Sequence, residues 1–175
     1  MISANTDCQT VNRIEVATED QNAFVRVIGK GSYKMGPALK DFGLLALEQG
    51  CRRFVIDMAE CIGMDSTFMG VVAGLTVRIG ERAGQLVMVQ LSDKNRMLLD
   101  TLGLAELIPS DPAATDPAIS APLQEIASLD NPRATARTML QAHETLVALH
   151  PANAGRFRDV LVYLRESVTQ HAGPL

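Results

Sequence analysis

The segment ECIGMDSTFMG, Glu60–Gly70, sets an acid and two hydroxyls, Asp65, Ser66 and Thr67, between an apolar strand-like run and an apolar helix-like run. At such a junction the first amide hydrogens of the helix have no partner within it. Capping is the simplest chemistry available there: an Asp or Ser oxygen accepts one of those hydrogens and stabilises by about 1 kcal/mol relative to Ala. A second is phosphorylation, because a phosphate on Ser66 carries nearly two charges and would meet both amides and the positive helix end. A third, nucleophilic catalysis, needs a base beside Ser66. The histidines, His143, His150 and His171, all lie far along the chain, and no GxSxG surrounds the serine, so no catalytic residue is expected.

Other clusters are weaker. In GKGSYKMGP, Gly31 and Gly36 have phosphate-loop spacing, but Pro37-Ala38 stands where Lys-Ser/Thr is required, and Gly29 and Gly31 do not complete GxGxxG. No nucleotide cofactor is expected. Cys8, Cys51 and Cys61 are odd in number and lack metal-ligand spacing, so they read as reduced thiols, Cys61 as a small buried hydrophobe. Met58, Met64 and Met69 read as packing residues. His143 and His150 share a helical face without a third ligand, which makes them surface or interface residues rather than a metal site.

The elements that must position the Asp65-Ser66 turn follow from periodicity. Arg13–Thr18 and Ala23–Gly29 read as a hairpin around the turn EDQN. Met35–Gln49 carries Leu39, Phe42, Leu45 and Leu47 at helical spacing, with Pro37 near its start and Gly50 as its stop. Arg53–Met58 and Leu86–Leu91 are buried strands, and Phe68, Val72, Leu75 and Ile79 fall on one face of the helix between them. Asp93–Leu102 is a helix with Asp93 as its cap, and Ala105–Pro109 adds a short edge strand. Alternating strands and helices imply a mixed α/β sheet with parallel neighbours and helices packed on one face. From Pro109 the character changes to a proline-rich stretch with one helical turn around Leu123, Ile126 and Leu129. Two amphipathic helices follow, marked by Met139, Leu140, His143, Leu146 and Val147 and by Phe157, Val160, Leu161, Leu164 and Val168, with HPANAG between them as a hairpin turn. Their stripes require burial, against the sheet domain, a second copy or a partner.

Composition narrows the function classes. At 175 residues and 47% hydrophobic the chain can bury a real core, and a net charge of -4 with Arg52-Arg53 as the longest basic run excludes a dominant nucleic-acid footprint. The N-terminus MISANTDCQT has no basic or apolar leader, and no run is apolar enough to span a bilayer, so a cytoplasmic protein without membrane contact is expected.

The run RFVIDMAECIGMDSTFMGVVAGL resembles the signature of STAS domains, the module of bacterial anti-sigma factor antagonists. The strand FVRVIGKG, the helix after it, LVMVQL and NRMLLDTLGLAELI are similar to that family in order and spacing, from about Arg13 to Asp111. The resemblance implies a STAS-like domain over 10–112; composition and periodicity add a linker over 113–131 and a C-terminal helical extension over 132–171. The resemblance implies that Ser66 is phosphorylated by an anti-sigma factor that is also an ATP-binding serine kinase, and that the unphosphorylated chain binds this partner through Asp57, Asp65, Ser66, Thr67, Phe68 and Met69. Phe68 stands where the commonest family pattern, Asp-Ser-Ser-Gly, has its glycine. The alternative is a small-ligand or nucleotide sensor that signals through its C-terminal helices; a homodimer formed by those helices is a further expectation.

Overall fold

The structure, a computed structural model, describes residues 12–111, 119–127 and 131–170. β1 (Arg13–Glu19) and β2 (Asn22–Gly31) form the expected hairpin, paired antiparallel from Arg13↔Ile28 to Glu19↔Asn22, with Asp20 in the left-handed region that so tight a turn demands. α1 (Gly36–Glu48) begins with Pro37 in its first turn and ends before Gly50, whose φ of 100° only glycine adopts without strain. β3 (Arg53–Asp57) lies parallel to β2. β4 (Cys61–Met64), α2 (Ser66–Gly80), β5 (Gln85–Val89), α3 (Asp93–Thr101), β6 (Ser110–Asp111), β7 (Gln124–Glu125), α4 (Pro132–Leu149) and α5 (Asn153–Gln170) complete the chain.

The strands form one mixed sheet in the order β6-β5-β3-β2-β1-β7, with β4 pairing the far end of β2. Alternation along the strands decides the layers. Phe54 and Ile56 join the main core with residues from all five helices, whereas Val55 meets Phe24 and Val89 in a small cluster on the opposite side. The helices therefore gather on one face of the sheet, as expected.

Several details differ from the sequence expectation. β4 has no hydrophobic period to announce it: it is four residues long, one of them is Gly63 and another, Ile62, is exposed. It attaches to β2 by a register shift between Gly29 and Lys30. The cap of α3 is Ser92, whose hydroxyl accepts from Asn95 N at 3.2 Å, and Asp93 is the first helical residue. Ala105–Pro109 is a turn, and the edge strand begins one residue later, at Ser110. Gln124–Glu125 adds an antiparallel strand to β1 where a helical turn was expected; Leu129 lies outside the described residues, as do Cys8 and His171.

The C-terminal hairpin docks on the same chain. Ala142 and Leu146 of α4 and Phe157 and Leu161 of α5 belong to the main core. The buried Asn153 amide donates to the carbonyls of both Leu102 and Leu146 at 3.0 Å, buckling the hairpin turn to the end of α3. Burial in cis covers most of both stripes and leaves Val160 38% exposed.

Candidate functional site at the start of α2

Asp65 closes β4 and opens α2. Its extended backbone (φ -94°, ψ 169°) donates N–H to the Gly31 carbonyl at 2.9 Å, which ties the turn to the end of β2. One carboxylate oxygen accepts from Phe68 N at 2.9 Å, and the other accepts from Tyr33 N at 2.7 Å. The capping function thus belongs to Asp65, which also pins the loop that leads into α1.

Ser66, freed of capping, is half-buried and turns its hydroxyl toward α4, where Oγ lies 3.0 Å from His143 Nε2. His143 Nδ1 is 2.8 Å from the Met139 carbonyl oxygen. A carbonyl only accepts, so Nδ1 carries the hydrogen, and in the neutral ring Nε2 accepts a hydrogen bond from the Ser66 hydroxyl. The imidazole is buried and meets the Phe157 ring edge-on at 4.8 Å between centroids. The sequence reading placed no base near Ser66 and put His143 at the surface or an interface; the fold brings the two together across 77 positions. The one signal in the sequence was that His143 fell inside the apolar stripe of its helix.

α4 covers the outer side of α2. A Cβ on Gly70 would lie 2.6 Å from the Ala142 carbonyl oxygen, so only glycine lets the two backbones approach this closely. Sheet below and α4 above leave the first turns of α2 little exposure: Thr67 is 3%, Phe68 0% and Met69 4% exposed. These three were expected on the partner surface, and in this arrangement they face inward. Phe68 fills the space over Gly31, where an added Cβ would lie 2.9 Å from its ring. Asp57, also expected there, is buried at the end of β3 and accepts from Arg26 Nε at 3.0 Å and from Ala59 N at 2.9 Å. Ile62 of β4 and Tyr33, whose N–H binds Asp65, are exposed.

The remaining candidates are structural. Burial pushes the Cys51 thiol up from its ordinary pKa, and Cys61 is buried with Sγ 3.3 Å from the Gly63 carbonyl. His150 packs over Gly103, where an added Cβ would lie 2.6 Å from its ring. Among the described residues no three of His, Cys, Asp and Glu come together as a metal site, and no helix is long and apolar enough to cross a membrane.

Residues 14–109, more than half of the chain, match the family described as "Mlab, STAS domain". The chain belongs to the STAS-domain family. Solved structures of anti-sigma factor antagonists share its fold: the anti-sigma factor antagonist SpoIIAA in its unphosphorylated form, at 17% identity and a TM-score of 0.51, covers 56% of this chain and 87% of its own. An anti-sigma factor antagonist from Mycobacterium paratuberculosis, at 19% identity and a TM-score of 0.51, covers 59% of this chain and 87% of its own. No curated protein sequence matches the chain significantly. The family match ends before α4, so the hairpin that touches Ser66 is an addition to the STAS domain.

Proposed function

We propose that this STAS protein is an anti-sigma factor antagonist that binds an ATP-binding anti-sigma serine kinase when Ser66 is unmodified and releases it when Ser66 is phosphorylated. The observation that carries this reading is the position of Ser66 as the first residue of α2, its hydroxyl uninvolved in capping because Asp65 performs that task. A phosphate can therefore be added without removing the cap, and its charge would fall at the positive end of the helix. The modification leaves the Asp65 cap in place, while a partner surface centred there would meet new negative charge and a desolvation cost. The reading makes the protein a regulator rather than an enzyme and places it in the cytoplasm with its partner. Purified anti-sigma kinases from the same genome, incubated with the chain and ATP, supply the test. One of them is expected to phosphorylate Ser66, to bind Ser66→Ala and to bind Ser66→Asp more weakly. Phosphate located elsewhere by mass spectrometry, or equal binding of the two variants, would overturn the switch.

A cleft of about 580 Å³ between α1, α2 and α4 favours the second reading, a small-ligand sensor. Lys40, Arg78, Gln141, Glu144 and Thr145 line it beside an apolar wall of Leu44 and Leu75, a mixture suited to a small amphipathic compound. Saturable binding of such a compound without any kinase would favour that reading.

A further inference from the structure

The hydroxyl assigned above to phosphorylation has its proton directed into the protein. Ser66 Oγ donates to a histidine that is 3% exposed, and the ring is fixed from behind by the Met139 carbonyl and from the side by Phe157. One turn further along α2, Gly70 touches the backbone of Ala142, the residue before His143. The contact and the hydrogen bond share one short piece of α4, so the helix sits on the switch as a unit.

Phosphorylation competes with this seat. The Ser66 oxygen must attack the γ-phosphorus of ATP in line, form the O–P bond as the bond to the bridging oxygen breaks, lose its proton to a kinase carboxylate and release ADP. With Oγ 3.0 Å from Nε2, the ring occupies the side to which the hydroxyl is aimed, and a phosphate on that side would displace the ring and the stretch of α4 that lies against Gly70. Thr67 and Met69, named by the family resemblance as partner residues, are covered in the same arrangement.

We propose that the N-terminal half of α2 is a single interface with two occupants in turn, the chain's own α4 and the anti-sigma kinase, so that the α4–α5 hairpin must leave before Ser66 is bound or phosphorylated. The proposal rests on the reading of Ser66 as the regulated hydroxyl. The closed form is the resting state, and the partner's apparent affinity is its intrinsic affinity reduced by the fraction of molecules that are open.

Gly70→Ala separates the two occupants. Alanine is the better helix former, so α2 is not weakened from within, yet the new Cβ meets Ala142 backbone atoms at 2.6–2.8 Å and displaces α4. Ala142→Leu makes the same displacement from the other side. Hydrogen exchange on the full chain alone is expected to show amides of α4 exchanging at least tenfold faster in either variant, with β2, β3 and β5 as protected as in the parent. The kinase that phosphorylates the parent chain is then expected to phosphorylate Ser66 in the variants at least tenfold faster. Unchanged exchange in α4 would overturn the proposal, and so would faster exchange with an unchanged rate at Ser66. Failure of the Ser66 reading itself is a different result, phosphate at another residue or equal binding of Ser66→Ala and Ser66→Asp, and does not depend on either hairpin variant. Should one variant fail to fold, the other decides.

Discussion

Replacing Asp65 separates the two jobs that the structure assigns to its carboxylate. One oxygen caps α2 through Phe68 N and the other holds Tyr33 N. Loss of the cap costs about 0.5–2 kcal/mol. A hydrogen bond to a charged group contributes about 1.5–3 kcal/mol, and the lower part of that range applies because Asp65 and Tyr33 are both open to water. Asp65→Ala is therefore expected to lose about 2–4 kcal/mol. Asp65→Asn keeps an acceptor for Phe68 N but turns a donor toward the Tyr33 N–H, so it should lose roughly half of that. Urea unfolding followed by far-UV circular dichroism reads both values as midpoint shifts; at a slope of about 2 kcal/mol/M the alanine variant moves by about 1–2 M. Equal midpoints for the Asn and Ala variants would refute the double role. A loss in the alanine variant of less than about 1 kcal/mol would do the same.

The Ser66–His143 bond predicts non-additivity: Ser66→Ala leaves a buried acceptor unpaired and should cost about 1–3 kcal/mol, but much less in a His143→Phe background, a coupling that a double-mutant cycle in urea measures. Phe68→Gly, which restores the commoner family residue, empties a fully buried site and should cost at least about 3–5 kcal/mol, so that the purified variant melts far below the parent in calorimetry. Truncation after Asp111 uncovers the outer side of α2 and should produce a less stable chain that binds anilinonaphthalene sulfonate, where the full chain does not.

Much of the scaffold was legible because its apolar residues repeat. Phe54, Val55 and Ile56 form an unbroken apolar run of the kind that a strand covered on both sides requires, and Phe68, Val72, Leu75 and Ile79 mark the buried face of α2. β4 was not legible: its place is set by pairing with β2 after a register shift, a tertiary fact that Cys61-Ile62-Gly63-Met64 does not encode as a pattern. The turn at Asp65-Ser66 was found by its residue types, but the assignment of cap to one and free hydroxyl to the other depends on which side chain the backbone directs to Phe68 N. The partner of that hydroxyl was hidden by distance in sequence. An amphipathic stripe states that a helix will be covered without saying by what, so the inward face of His143 was visible and its meeting with Ser66 was not.

The distance between Ser66 and His143 also sets an order of events in synthesis. The serine leaves the ribosome 77 residues ahead of its histidine, a gap of about 4–15 s at about 5–20 residues per second. Every strand and helix of the family match, residues 14–109, has been made before α4 exists. Each newly made molecule therefore passes through an interval in which α2 lacks its cover and the Ser66 hydroxyl faces the solvent. α4 arrives after the helix it covers, and the age of the molecule, counted in seconds, bears on which of its surfaces a neighbour can meet.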